Sequence, residues 1–402
     1  MANWAKLQEQ LTGLPVVKRA RHGIHFDKGN GEIVANFSGK PCHYEEKGVW
    51  KPIDTKLLLG NDGFYGCPHS DVKIHKDGRV KAGGYQQKSA LVDAKEGVVD
   101  GDKIVREFKF GTQYLYMKED GFRQETVITR PPTTAEAKYL IASESGELPS
   151  KYKRSDITAV DADGAVHEFV NLGQFKKWLD AAAYPVTIDP DFAGGTADIT
   201  IAGTNADYTT ARATATAINI TGTSRLSVGQ ALESPGYWIM RSVLLFDTSS
   251  IGTNTVSQVN LKLVATQDVS QRNFDIQIVK QDWSGQNPIT TENRDAAFDG
   301  CLAGTADDSI WRNSNGMNVN TQYASGNLAT DWVNTTGTTY YSLRSSLDVA
   351  SSAPTANNQD YVGFASANHA TESYRPVLTV TYTAGSTGVP KHFLHYARLR
   401  SN

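Results

Sequence analysis

The sequence predicts a mainly all-β chain: an N-terminal antiparallel β domain followed by a jelly-roll β-sandwich. Three observations predict it. Short runs in which apolar and polar residues alternate recur along most of the 402 residues, and this period puts one sheet face on a core and the other in water. Turn dipeptides divide the runs: Gly29-Asn30-Gly31, Asp62-Gly63, Asp77-Gly78, Asp120-Gly121 and Asp163-Gly164. The composition also changes once. Residues 1–192 carry 27 Lys+Arg and 27 Asp+Glu, whereas residues 193–402 carry 13 and 16.

That change falls on Ala183-Tyr184-Pro185-Val186-Thr187-Ile188-Asp189-Pro190-Asp191-Phe192. Val186, Thr187 and Ile188 are β-branched, and the flanking prolines fit only the ends of a ladder, so the stretch reads as a short strand. We take it as the last strand of one domain. The expected organisation is a docking segment (1–22), a β-rich domain (23–192), a sandwich (193–384) and a linker with an anchoring tail (385–402).

Taken in order, residues 3–12 predict an amphipathic helix, with Trp4, Leu7 and Leu11 on one side. Alternating strands follow, among them Val72-Lys73-Ile74-His75, the run at 104–110 and Tyr114-Leu115-Tyr116-Met117. Leu172, Phe175 and Leu179 recur at helical spacing and predict a helix over 171–182. Beyond Phe192, strands are expected at 198–201, 215–220, 242–246, 258–266, 274–280, 340–343, 361–365 and 377–382. The Asn/Asp/Gly/Ser-rich region 284–330 reads as a large surface loop or insertion. At the end, Ala384-Gly385-Ser386-Thr387-Gly388-Val389-Pro390 reads as a linker. The tail beyond it sets Phe393, Leu394, Tyr396 and Arg398 together as candidate partner-docking residues.

Net charge is −3. Neither part has the basic excess of a nucleic-acid-binding domain, so no nucleic-acid partner is expected. No apolar run is long enough for a membrane span, and the first residues lack the apolar core of a signal peptide. Cys42, Cys67 and Cys301 make no disulfide framework, which suits assembly in a reducing cytoplasm.

Residues 198–383 resemble the DNRLRE family of β-sandwich modules, related to disaggregatase and to carbohydrate-binding modules. The fragments are Asp207-Tyr208, Leu226-Ser227-Val228-Gly229, Arg241-Ser242-Val243-Leu244-Leu245-Phe246-Asp247, Asp282-Trp283, Asp331-Trp332 and Gly363-Phe364-Ala365-Ser366. Tyr374-Arg375-Pro376-Val377-Leu378-Thr379-Val380-Thr381-Tyr382 closes the series. The first part is similar to the β-rich region that precedes such modules in wall-associated and Rhs-like surface proteins and in phage virion proteins. Its matching pieces are Tyr44-Glu45-Glu46-Lys47-Gly48-Val49-Trp50-Lys51-Pro52-Ile53-Asp54 and the Tyr184–Pro190 joint.

No nucleophile elbow, HExxH helix or P-loop occurs. Cys42-His43, Cys67-Pro68-His69 and His75 are the residues most like metal ligands, but their spacing matches no zinc motif. No metal or cofactor is expected, with calcium the one ion an Asp-rich loop leaves open. Asp295, Asp299, Asp307 and Asp308 lie in that loop, where aspartates serve as turn formers, calcium ligands or, in a suitable pair, glycosidase acids. Trp238, Trp283, Trp311, Trp332, Tyr237, Tyr323 and Tyr361 are the candidates for a sugar-stacking platform. Trp311 is expected to be exposed, and Trp311, Tyr323, Asp307 and Asp308 are the expected ligand-binding set. Arg241 and Arg375 are expected to be structural, with Asp247 a mate for a buried arginine.

The resulting expectation is a non-enzymatic phage virion protein, a capsid or tail appendage displaying a sandwich toward host surface glycans. Its partners would be other virion proteins and host polysaccharide, and by analogy with such appendages it would be a homotrimer. The alternatives are a carbohydrate-binding module of a bacterial surface or secreted protein, and a glycan-cleaving tail enzyme.

Overall fold

The Asn30-Gly31 dipeptide makes a tight two-residue hairpin. Both residues have positive φ, 55° and 79°, the pair of left-handed conformations that matches the twist of flanking strands. In the computed structural model this hairpin joins strands Gly23–Gly29 and Glu32–Ser38. The structure describes residues 4–119, 121–141, 143–147, 149, 153–154, 158–162, 166–168, 171–189, 191–193, 198–218, 224–233, 236–355, 358–369 and 371–383. The chain is mainly strand, in antiparallel sheets, as the alternation predicts.

Two units divide the chain: Met1–Pro52 with Thr196–Asn402, and Ile53–Gly195. This corrects the expected organisation. The boundary drawn at 192/193 lies within three residues of the observed one, but residues 1–52 belong with the sandwich and not with the β-rich domain. Strand Glu32–Ser38 pairs with Val377–Thr383 along its whole length, from Glu32↔Thr383 to Ser38↔Val377. This register points Ala35 and Phe37 into the same core as Leu378, Val380 and Tyr382. His25 adds a polar tie, with Nδ1 2.9 Å from Tyr382 Oη and Nε2 2.9 Å from Ser250 Oγ. The expected helix runs Trp4–Thr12 and buries Trp4, Ala5 and Gln8. Trp4 and Ala5 pack with Ile24, Phe26 and Val377.

The sandwich arises because its long strands change partners partway. Residues 255–262 pair with Val377–Thr383; past a bulge between Ala265 and Gln267, the same strand pairs with Gln359–Ala365. Residues 236–240 pair with Arg225–Glu233, and residues 242–247 then pair with Thr338–Ser345. Such handovers turn a path of strands back on itself. Leu226, Val228, Leu244, Phe246, Val259, Leu261, Ile276, Tyr341, Val362 and Phe364 consequently share one core. On the opposite side of residues 239–243, helices Tyr208–Ala213 and Arg294–Ala303 cover Ile199, Ile201, Ile239 and Val243.

The second unit holds a six-stranded sheet from Leu58–Leu59 to Ser143–Ser145 and a nine-stranded sheet containing Lys103–Phe108, Gly111–Met117 and Gly121–Ile128. Val186–Asp189 is a strand as predicted, paired on both edges, with Gly121–Ile128 and Thr158–Val160. The predicted helix runs Leu172–Ala181, and the Asn171 side chain caps it by accepting from the Gln174 N–H at 3.0 Å.

Region 284–330 is not one long loop. It contains helix Arg294–Ala303 and strands Thr305–Asn313 and Thr321–Ala324. The Thr305–Asn313 strand pairs with Asp275–Lys280 through two register shifts, so period-two alternation is broken in its sequence.

Candidate functional site

The expected ligand set around Trp311 is not an open platform. Trp311 is 8% exposed and packs on Phe364 at 5.3 Å, inside the sandwich core. The ladder to Asp275–Lys280 fixes the strand that carries it. Tyr323 is half-buried; its Oη accepts the Asn318 N–H at 2.7 Å, and the Arg312 guanidinium sits 4.6 Å over its ring. That face of the ring is already used. Asp307 and Asp308 lie on the Thr305–Asn313 strand, and their side chains fall outside the described residues. The candidate docking residues Phe393, Leu394, Tyr396 and Arg398 also fall outside them. Asp295 is committed to structure, accepting the Ala215 N–H at 2.6 Å.

The Cys/His candidates divide between the units. Cys42 Sγ is 3.3 Å from His43 Nδ1 in one, and Cys67 Sγ is 3.5 Å from His69 Nε2 in the other. His75 instead contacts Asp77 at 2.8 Å. Among the described residues no group of three or more His, Cys, Asp or Glu could hold a metal. None of the three cysteines forms a disulfide, and all are buried. Burial pushes the Cys67 thiol up to about 12 and Cys301 up to about 11, far from the reactive thiolate range.

Arg241 is structural, but its mate is Asp348 and not Asp247. Its Nε and Nη2 donate to the two Asp348 oxygens at 2.7 and 3.1 Å, and Nη1 donates to the Phe298 carbonyl. The guanidinium also lies 3.7 Å from the centre of the Phe298 ring. Arg344 donates to the carbonyls of Cys301, Leu302 and Gly304 and so closes the C-terminal end of helix Arg294–Ala303.

Of the aromatic candidates, register brings two to one sheet face. Trp238 pairs across with Ala231 and Thr204, Ala231 with Gln359, and Gly229 with Tyr361, without a shift in these segments. Paired residues share a face, and so do residues two apart on a strand. Trp238, Thr204, Ala231, Gln359, Gly229 and Tyr361 therefore share one face. Trp238 and Tyr361 are half-buried, leaving part of each side chain accessible. Between them lie Gly229 and Ala231, both buried, and Met240, which pairs with Gly229, is buried on the same face.

Polar side chains rim this face. Gln359 Nε2 donates to Glu233 Oε1, and a Cβ at Gly363 would meet the Arg225 side chain at 2.5 Å, so Arg225 lies across that glycine. Burial raises the Tyr361 phenol above its ordinary value; Arg225 opposes this, Glu233 adds to it, and a hydrogen bond from Gln267 opposes it. The phenol stays protonated and can both donate and accept. Gln267 Oε1 is buried without a hydrogen-bond partner among the described residues.

The other aromatics are used elsewhere. Trp283 is 1% exposed, with its indole N–H directed at the Tyr341 carbonyl. Tyr237 packs on Tyr208, and Trp332 lies against Tyr341 with Lys280 over it. Sequence reasoning included Trp238 and Tyr361 among seven aromatics but missed Arg225, Glu233, Gln267 and Gln359. The available signal was local: Gln359 and Tyr361 flank the buried Asp360, the alternation of a strand with one accessible face.

No family model matches the chain, and no curated protein matches it. Among solved structures it is similar to infectious bursal disease virus VP2 in a subviral particle. Identity is 11%, covering 96% of this chain and 83% of that one, with a TM-score of 0.19. A point mutant of that VP2 in T=1 particles gives 13% identity, 96% and 81% coverage, and a TM-score of 0.18. A structure solved with a xylogluco-oligosaccharide gives 10%, 92% and 78%, and 0.16. At such TM-scores these likenesses carry no argument about fold or function.

Proposed function

We propose that the chain is a non-enzymatic structural protein of a phage virion, a capsid or tail appendage whose sandwich contacts host surface glycan. The observation that carries the glycan part is the Trp238–Tyr361 face: two half-buried aromatics on one sheet face, with amide and charged groups beside them. Pyranose rings have an apolar face and a polar edge, and such a surface offers partners to both.

The resemblance of residues 198–383 to DNRLRE modules supports a displayed sandwich. So does the seating of strand Val377–Thr383, paired on one edge with Glu32–Ser38 and on the other with residues 255–262. Mass spectrometry of gradient-purified particles tests the reading: stoichiometric peptides from this chain are expected. Their absence, with the chain recovered in the host envelope fraction, would favour a carbohydrate-binding module of a bacterial surface protein, which the same face also suits.

A further inference from the structure

Register builds a charged, solvent-facing surface on the six-stranded sheet of the second unit. Lys73 pairs with Lys81 and Lys81 with Gln86, while Arg79 pairs with Lys88 and Lys88 with Ser143. These residues alternate with Val72, Ile74, Val80 and Ala82, whose side chains are buried in the core on the opposite face. Arg79 and Lys88 are exposed, and Lys73 and Lys81 are half-buried. The four cations form a diagonal stripe over three strands, in the order Lys73, Lys81, Arg79, Lys88. Sheet spacing and strand rise put the Cα atoms at its two ends roughly 12 Å apart.

Lys73–Lys81 and Arg79–Lys88 are like-charge pairs set directly opposite each other, an arrangement that weakens a sheet. Asp62 relieves the first, its Oδ2 accepting from both lysines at 2.9 Å. Asp77 accepts from Arg79 Nε at 2.7 Å. Lys88 has Arg79 and Ser143 as its cross-strand neighbours and joins no ion pair among the described residues. Four cations against two carboxylates leave this face positive, although residues 53–195 carry 19 Lys+Arg and 22 Asp+Glu. The Phe64 ring has Lys81 Nζ 3.9 Å and Arg79 Cζ 5.4 Å from its centre. It is therefore committed to the cations and is no platform for stacking a base. Leu58, an exposed apolar side chain on this face, stands at the edge strand, so no apolar centre of the kind that anchors a protein partner lies on the stripe. Gln86, Ser143 and Ser145 add neutral hydrogen-bonding groups on the same rows. We infer that this face binds a linear anionic glycopolymer, laid along the stripe with its carboxylate or phosphate groups on the cations. The site lies in a different unit from the Trp238–Tyr361 face and does not rest on it.

Biolayer interferometry of the immobilised full chain tests this with polygalacturonate, poly(glycerol phosphate) and neutral dextran. Anionic polymer should bind and dextran should not, and the affinity should fall as salt is raised. Binding of one anionic polymer alone assigns the ligand group as carboxylate or phosphate. Lys88→Glu should weaken binding by roughly tenfold, since it replaces an attraction with a repulsion. Lys95→Glu makes the same charge change at an exposed lysine paired with Glu107, off the stripe, and should alter the affinity by less than about twofold. Lys88→Gln removes a like-charge contact and breaks no ion pair, so it should weaken binding without lowering the melting temperature.

Equal binding of dextran, or Lys88→Glu and Lys95→Glu weakening the anionic polymers alike, would overturn the inference. So would tighter binding of single-stranded DNA than of either anionic polymer at the same salt, which would assign the face to nucleic acid. Anionic binding that Trp238→Ala abolishes and Lys88→Glu leaves intact would move the site to the sandwich. Failure of both anionic polymers to bind removes this site and leaves the Trp238–Tyr361 reading standing.

Discussion

Arg241 and Asp348 form a closed, two-point ion pair inside the sandwich, at 0% and 1% side-chain exposure. Asp348 also accepts from Arg212 Nε at 3.1 Å, so one carboxylate holds strand Gly236–Asp247, helix Tyr208–Ala213 and helix Ser346–Val349 together. A buried pair is weak evidence of net stabilisation, but breaking one strands a charge away from water.

Asp348→Ala is therefore expected to destabilise the sandwich by about 3–5 kcal/mol, read as a lower urea midpoint with an unchanged slope. The double variant Arg241→Met with Asp348→Leu should recover part of that loss, because the fully buried guanidinium leaves with its carboxylate and only the partly exposed Arg212 loses a partner. If Asp348→Ala melts like the unaltered chain, the pair is not what fixes these elements.

Phe37 and Leu378 are cross-strand partners in one core although 341 positions apart. Phe37→Ala should cost about 3–5 kcal/mol and Leu378→Ala about 2–5 kcal/mol, and both should act on the same unfolding transition. Hydrogen exchange gives the sharper reading: amides of residues 33–37 should exchange together with those of 378–382. Protection of 33–37 that instead follows strand Gly121–Ile128 would return this segment to the other unit.

This pairing also shows what was legible in the sequence. The helices Trp4–Thr12 and Leu172–Ala181 and the Asn30-Gly31 turn depend on neighbours within a few positions, so periodicity and turn chemistry revealed them. The partner of Glu32–Ser38 lies at the far end of the chain, and residues 1–52 are as charged as those that follow, so composition showed no break at Pro52. Trp311 was misread for a related reason. Asp307, Asp308, Asn313 and Ser314 around it look like loop, but a doubly shifted ladder holds its strand against the core. The candidate face needed register as well: Trp238 and Tyr361 are 123 positions apart, and only the intervening Gly229 and Ala231 align them.

Asp198 should make the sandwich pH-dependent. Burial pushes its carboxyl up to about 7, opposed by the Ala367 N–H, Lys40 and Arg375; the N–H donates to Oδ2 at 2.6 Å. The folded state thus holds a proton that the unfolded chain releases near its ordinary value, so this stabilisation is complete below about pH 4 and lost as pH rises through about 7. Asp198→Asn removes the titration. The stability of Asp198→Asn relative to the unaltered chain should rise between pH 4 and pH 8 by an amount on the order of a few kcal/mol. A difference that stays flat across that window would show that the carboxyl ionises as it would in water.

Gly229 lies buried between the strands that carry Trp238 and Tyr361, and both its backbone and its surroundings require glycine. Its φ is 135°, and a Cβ there would lie 2.1 Å from the Asp360 carbonyl oxygen and 2.6 Å from Tyr361 Cα. These atoms belong to backbone held in the Arg225–Glu233 and Gln359–Ala365 ladder, so they cannot rotate aside as a side chain would. Gly229→Ala is expected to cost at least about 1–3 kcal/mol from the backbone conformation alone, with the clash adding to it. It should also push the strand bearing Tyr361 away from the strand bearing Trp238. The melting temperature should therefore fall. Ala231→Gly, one same-face step along the same strand, should lower stability only by the smaller cost of a glycine in a strand. If Gly229→Ala keeps the melting temperature of the unaltered chain, the close approach of the two strands at this point is wrong.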